Sequence, residues 1–176
     1  VPDEKDPGKY YRVRGRRTPA VKVSRALWLD YVGAFAKRYQ GKIGKYVIQD
    51  EPEYYFDTLE DYARFYLDTR KAIKSADPSA RVFYNGFCHP WKLVQALASA
   101  TGGKPEQFVD GVHAYLSSQH AGKNSAGAEP EFRNWLRKHN IPLVTATCFS
   151  FADRLDASIR DGAGFSFLAR RSRELP

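Results

Sequence analysis

The chain has 176 residues, of which 43% are apolar and 14% aromatic. That is enough for one domain with a hydrophobic core, and it excludes a disordered chain. No apolar run approaches the roughly 18 residues of a membrane-spanning helix, so no membrane partner is expected. The formal net charge is +8, and nucleic acid is an unfavoured partner because the basic runs lack interleaved aromatic residues.

Cysteine and histidine spacing predicts neither a metal site nor a cofactor. Cys88 and Cys148 are far apart in the sequence and are expected to be free thiols. The four histidines also lack paired ligand spacing. There is no methionine, even at position 1, which favours a piece of a longer protein, so the compartment stays unknown from the sequence itself.

The pattern of elements begins with residues 1–24, which are rich in proline, glycine and charge and are predicted to be a loop or connection. Residues 25–176 are predicted to form one domain. Its first helix carries apolar residues at helical spacing and closes at Gly41. Predicted strands at 45–49, 81–87, 108–116 and 141–151 then alternate with predicted helices at 58–77, 91–103 and 129–140, and a weaker helix starts near residue 153.

This alternation predicts an α/β fold with about four parallel strands and crossover helices. No Gly-x-Gly-x-x-Gly follows a strand, so a (β/α) TIM-type barrel is favoured over a nucleotide-binding sheet. Such barrels usually need about 250 residues and eight strands. The chain is therefore expected to be a partial or half-barrel, whose bare edges pair with a second copy or with a missing segment.

Polar residues gather where the predicted strands end, which is where chemistry is placed in a barrel. Asp50 and Glu51 follow the first strand, Asn85 ends the second, and His113 and Tyr115 share one side of the third. An acid pair, a histidine and a tyrosine would suit a sugar. Each also has a structural explanation: Glu51 as a loop carboxylate, His113 as an interior histidine, and Tyr115 as part of the barrel wall.

Four segments carry a family resemblance: DYVGAFAKRYQGKIGKYVIQDEPEYYF, EDYARFYLDTRKAIKSADPSARVFYNGF, FVDGVHAYL and IPLVTATCFSFADR. In spacing and order they resemble strands four to seven of clan A glycoside hydrolases, nearest to the β-xylosidase and α-L-iduronidase-like group. The resemblance implies a (β/α)8 barrel that cleaves glycosidic bonds with retention. It also slightly favours an extracellular or secreted protein, with an oligosaccharide, polysaccharide or glycoside as its partner.

The resemblance also implies roles for individual residues. Glu51 takes the acid/base position, Asp50 the position of an asparagine that contacts the sugar, and His113 and Tyr115 a pair on the sixth strand. Ala146 falls where the nucleophilic glutamate stands. A retaining double displacement needs two carboxyl groups about 5–5.5 Å apart, so this departure makes turnover doubtful.

Two alternatives remain open. In substrate-assisted hexosaminidases an adjacent Asp-Glu pair does the work, which would explain Asp50 and excuse Ala146. The chain can also be a relative of the hydrolases, natural or engineered, that binds carbohydrate or serves a structural role without turning a substrate over.

Overall fold

The computed structural model describes residues 8–15, 18–49, 52–86, 90–115 and 130–146, and at residues 14, 15, 18–20, 53, 86, 115, 145 and 146 it describes the backbone only. The elements, in chain order, are β1 (Tyr10–Gly15), β2 (Thr18–Ser24), α1 (Arg25–Arg38), β3 (Lys45–Ile48), α2 (Pro52–Tyr55), α3 (Leu59–Ala76), β4 (Arg81–Gly86), α4 (Pro90–Ala100), a 3-10 turn (Pro105–Phe108), β5 (Gly111–Tyr115), α5 (Pro130–Lys138) and β6 (Leu143–Ala146).

The core of the fold is a four-stranded parallel sheet with the strand order β3-β4-β5-β6. Each strand pairs with the next one along the chain. The helices follow the same order, because α1 packs on α3, α3 on α4, and α4 on α5. This arrangement confirms the predicted fold class: parallel strands in chain order with crossover helices, as in part of a (β/α) barrel.

The sheet has two chemically different faces, because successive side chains of a strand point to opposite sides. One face carries Ile48, Val82, Tyr84 and Val112, which join helix residues such as Leu93 in the main hydrophobic cluster. The opposite face carries Val47, Phe83, Asn85, Gly111, His113 and Val144 at matching register positions. We call it the inner face, since the face away from the helices lines the interior of a (β/α) barrel.

The prediction of a loop was wrong for residues 10–15 and 18–24, which form an antiparallel hairpin. Tyr11 pairs with Val23, and Val13 with Val21, so one face of the hairpin is apolar. Tyr11 is buried, and its ring lies edge-on to Phe65 of α3 at 4.9 Å. The apolar positions alternate with charged ones, as in a strand with one buried face, but the alternating run is short and the proline, glycine and charge around it favoured a loop.

Polar contacts fasten the hairpin and α1 to α3. Arg25 binds Asp68 through two hydrogen bonds, of 2.7 and 3.0 Å, and the Tyr11 hydroxyl donates to the same carboxylate at 2.7 Å. Burial, followed by this hydrogen bond to Asp68, raises the pKa of Tyr11. The hydroxyl therefore stays protonated and serves as a fixed donor.

Helix α3 begins and ends where its sequence predicts. The Asp61 N–H donates to the Thr58 hydroxyl at 3.1 Å, which satisfies one of the free amides of the first turn. The helix ends before Asp77, which precedes Pro78. Along the described parts of the chain, no helix combines the length and the apolar composition needed to cross a bilayer.

The strand predicted from residue 108 begins only at Gly111. The reason is the 3-10 turn that starts at Pro105, because proline fixes its own backbone angle and has no N–H to give to a ladder. Asp110 ends this connection. Its carboxylate accepts from the Val82 N–H at 2.8 Å and from Lys74 at 2.8 Å, so it joins β4 and α3 at the amino end of the sheet.

Candidate functional site

Asn85 and His113 are brought together at the carboxyl end of the sheet. They are direct register partners on β4 and β5, and both lie on the inner face. Adjacent strands run about 4.8 Å apart, so the two backbones are neighbours. Asn85 is buried, and its Nδ2 donates to the Gln49 carbonyl at 2.6 Å, whereas His113 is half-buried.

Tyr115 and Ala146 are also register partners, two residues further along β5 and β6. The described backbone therefore puts residues 115 and 146 on one row of the sheet. Alternation places this row on the same face as His113. The two adjacent rows together contain four positions that the sequence analysis selected: Asn85, His113, Tyr115 and Ala146.

Asp50 and Glu51 lie outside the described residues, so their predicted roles stay predictions. Both residues that flank them in the sequence are described. Gln49 has a left-handed backbone with φ of 58°, an uncommon conformation for a residue other than glycine. Pro52 is buried and opens α2.

Sequence reasoning missed Gln49 and Tyr62 as residues that shape this end of the sheet. The helical pattern of residues 58–77 puts Tyr62 on the buried face of α3 and gives no sign of a polar role. Its hydroxyl donates to the Ile48 carbonyl at 2.8 Å and accepts from the Asn85 N–H at 3.1 Å. The available signal was the residue type, since a tyrosine on a buried helix face needs a partner for its hydroxyl.

An aromatic layer lies beneath Asn85 and His113 on the inner face. Phe83 is 1% exposed, and its ring covers Gly111 so closely that a β-carbon there would stand 2.1 Å from the ring. The cations of Arg81 and Lys45 lie 5.1 and 6.0 Å from the ring centroid. The Phe83 ring therefore fills the inner face directly below Asn85 and His113.

The aromatic run after Glu51 divides between surface and core. Tyr54 is 41% exposed, whereas Phe56 is buried. The Phe56 ring packs at 5.4 Å from Tyr62 and at 5.1 Å from Phe65. Phe56 is therefore a core residue, and within the described chain only Tyr54 and Tyr55 of this run keep surface for a ligand.

An apolar cleft of about 190 Å³ lies elsewhere, between α1, α3 and the outer edge of β3. Its walls include Trp28, Tyr31, Phe35 and Tyr46. The Tyr46 hydroxyl is buried with no hydrogen-bond partner in the part of the chain that the structure describes. The cleft runs along the edge of the sheet rather than over the strand ends.

The shifted carboxylates among the described residues lie at the amino end of the sheet, away from the candidate site. Burial by itself would raise the pKa of Asp110, but the hydrogen bonds from Lys74 and Val82 and the charges of Arg70 and Lys74 lower it. In the described ranges, no group of three or more His, Cys, Asp and Glu side chains could hold a metal ion. In a barrel, residues at this end serve stability.

The sequence matches no protein-family model and no curated relative. Among solved structures, the chain is similar to xylanase 10B from Thermotoga petrophila RKU-1, whose crystal structure is a complex with xylobiose. The identity is 11% and the TM-score 0.43. The alignment covers 67% of this chain, and the chain spans 39% of that xylanase.

Proposed function

We propose that this chain is part of a glycoside hydrolase-type (β/α) barrel and binds a glycoside at the carboxyl ends of its parallel strands. One observation carries the proposal. Asn85 pairs in register with His113, and Tyr115 pairs with Ala146, on one face and at one end of the sheet. Four positions chosen from the sequence for sugar chemistry thus occupy adjacent places.

The roles follow from the chemistry of the groups. Glu51 is the proton donor to the leaving oxygen, and Asp50 contacts a sugar hydroxyl. Asn85, His113 and Tyr115 supply hydrogen bonds to other hydroxyls, since amide, imidazole and phenol groups both donate and accept. These roles rest on the sequence resemblance and on the strand-end placement of the described positions.

Ala146 decides what the site can do with a bound glycoside. Retaining hydrolysis needs a second carboxylate about 5–5.5 Å from the acid/base, and alanine supplies none. We therefore infer binding without double displacement. A second route exists only if the sugar carries its own nucleophile, as the acetamido group does in substrate-assisted hydrolysis.

The test is a set of 4-nitrophenyl glycosides, including the β-D-xyloside and the N-acetyl-β-D-glucosaminide, applied to the unmodified chain and to Ala146→Glu. We expect the unmodified chain to bind one of them without cleavage. Ala146→Glu should release nitrophenol and give a sugar of retained anomeric configuration, as followed by NMR. Adding Glu51→Gln to that variant should strongly slow the steady-state release, because the group that protonates the leaving oxygen and then activates water for the second step is lost.

A matched pair of histidine variants tests the binding site itself. His113→Asn removes the imidazole on the inner face, whereas His139→Asn removes one that lies 6.0 Å from the Trp135 ring, after α5. Binding should weaken in the first and stay unchanged in the second. Equal effects, or no binding of any glycoside by the unmodified chain, would contradict the proposal, and cleavage of the N-acetylated glycoside by the unmodified chain would establish the assisted route.

A further inference from the structure

The Tyr62 hydroxyl interrupts the hydrogen-bond ladder between β3 and β4. At the amino end, the Arg81 N–H donates directly to the Gly44 carbonyl at 3.0 Å. In a parallel ladder the same bond recurs every second residue, which would bring the Asn85 N–H to the Ile48 carbonyl. At that place the hydroxyl of Tyr62 stands between the two groups and bonds to both, at 2.8 and 3.1 Å.

The inserted hydroxyl changes how the chain leaves β3. A hydroxyl between a carbonyl and an amide holds them further apart than a direct bond does. Directly after Ile48, the backbone of Gln49 turns into the left-handed region at φ of 58°, and its carbonyl accepts from Asn85 Nδ2 at 2.6 Å. Such a conformation persists only where its surroundings hold it. Two bonds from Asn85, one to Tyr62 and one to Gln49, supply that hold.

We propose that Tyr62 is a positioning residue of the candidate site. Its hydroxyl sets the conformation of Gln49, where the chain leaves β3, and through the Gln49 carbonyl it holds the Asn85 carboxamide at the position next to His113. Tyr62 itself is fully buried in the helix layer and does not touch a ligand. The consequence for glycoside binding rests on the proposed function, whereas the effect on Gln49 and Asn85 does not.

The same helix supplies a matched control one turn further on. Tyr66 is also fully buried on α3, and its hydroxyl bonds to the carbonyls of Val82 and Phe108, at 3.1 and 2.9 Å. Both carbonyls belong to the amino end of the sheet, away from the candidate site. Tyr62→Phe and Tyr66→Phe therefore each remove one buried, hydrogen-bonded hydroxyl from the same helix, at opposite ends of the strands.

The experiment compares these two variants with the unmodified chain by three measurements: urea unfolding, the NMR signals of the Asn85 carboxamide, and binding of 4-nitrophenyl β-D-xyloside. We expect both variants to unfold at lower urea concentration, by similar amounts. Only Tyr62→Phe should shift the Asn85 carboxamide signals. It should also weaken binding about tenfold, the loss that corresponds to one displaced hydrogen-bonding group, while Tyr66→Phe should bind within about twofold of the unmodified chain.

Unchanged carboxamide signals in Tyr62→Phe, or equal shifts in both variants, would overturn the positioning role. If no xyloside binds to the unmodified chain, the binding proposal fails for that sugar and the carboxamide signals still decide the role of Tyr62. Should Tyr62→Phe not fold, hydrogen exchange in the unmodified chain gives the decision. The backbone N–H of Asn85 should then exchange as slowly as those of its neighbours in β4, since it donates to the Tyr62 hydroxyl. Rapid exchange of this backbone N–H would refute the contact.

Discussion

Replacing Gly111 by alanine tests the packing directly beneath the candidate site. A β-carbon at this position would lie 2.1, 2.5 and 2.7 Å from three carbons of the Phe83 ring. Carbon atoms pack at about 3.5–4.0 Å, so the ring would have to move by roughly 1.4 Å or more. Phe83 is 1% exposed and has little free space into which it can move.

The expected cost follows from overpacking of a filled core. Forcing one methyl group into such a place destabilises a protein by about 1–3 kcal/mol. Gly33 in α1 is the matched control, because a β-carbon there meets nothing within 4 Å. Gly33→Ala should instead raise the free energy of unfolding by about 0.5–1 kcal/mol, since alanine lowers the entropy of the unfolded chain.

Urea unfolding of both variants, followed by circular dichroism, measures these changes. Phe83→Leu added to Gly111→Ala should recover part of the loss, so the pair should couple by about 1–2 kcal/mol in a double-mutant cycle. An alanine at position 111 that leaves stability unchanged or raises it would refute the placement of the ring over Gly111. The layer below Asn85 and His113 would then be looser than the structure has it.

Three further predictions concern the ends and the edge of the sheet. Asp110→Asn should lower stability by about 1–2 kcal/mol at pH 7, because a partly exposed charged acceptor is lost. The pKa of Asp110 is lower in the folded than in the unfolded chain. The carboxylate therefore stabilises the fold fully above the unfolded pKa, and this stabilisation disappears as the pH falls through the folded pKa. The difference in urea midpoint between Asp110→Asn and the unmodified chain should shrink by pH 3, and a constant difference would contradict this. Tyr46→Phe should leave stability unchanged or raise it, since the hydroxyl has no hydrogen-bond partner among the described residues, and a loss above about 1 kcal/mol would reveal a partner. The chain should self-associate through the outer edge of β3, where Val47 is 46% exposed and the strand has no further neighbour in the described sheet. Light scattering should show the Val47→Lys variant as a monomer. An unmodified chain that is already monomeric would exclude this pairing.

Much of the sheet could be predicted from local patterns. The apolar segments at 45–49, 81–87 and 141–151 each overlap a strand, because a buried parallel strand is a short apolar run whatever its neighbours are. The α3 helix was equally clear from its cap at Thr58 and from its helical spacing. The hairpin escaped prediction, since its alternating apolar and charged residues form only a short run among prolines, glycines and charges that are typical of a loop.

The sequence by itself determined which residues stand at the ends of parallel strands and which of them share a face, since alternation along a strand is a property of neighbouring residues. His113 and Tyr115 needed nothing else to be placed on one side. Only the tertiary structure decided that Asn85 lies opposite His113 and that a hydroxyl from α3 separates Ile48 from Asn85. Register between strands and the reach of a helix side chain depend on packing between segments far apart in the chain, and no local pattern encodes that distance.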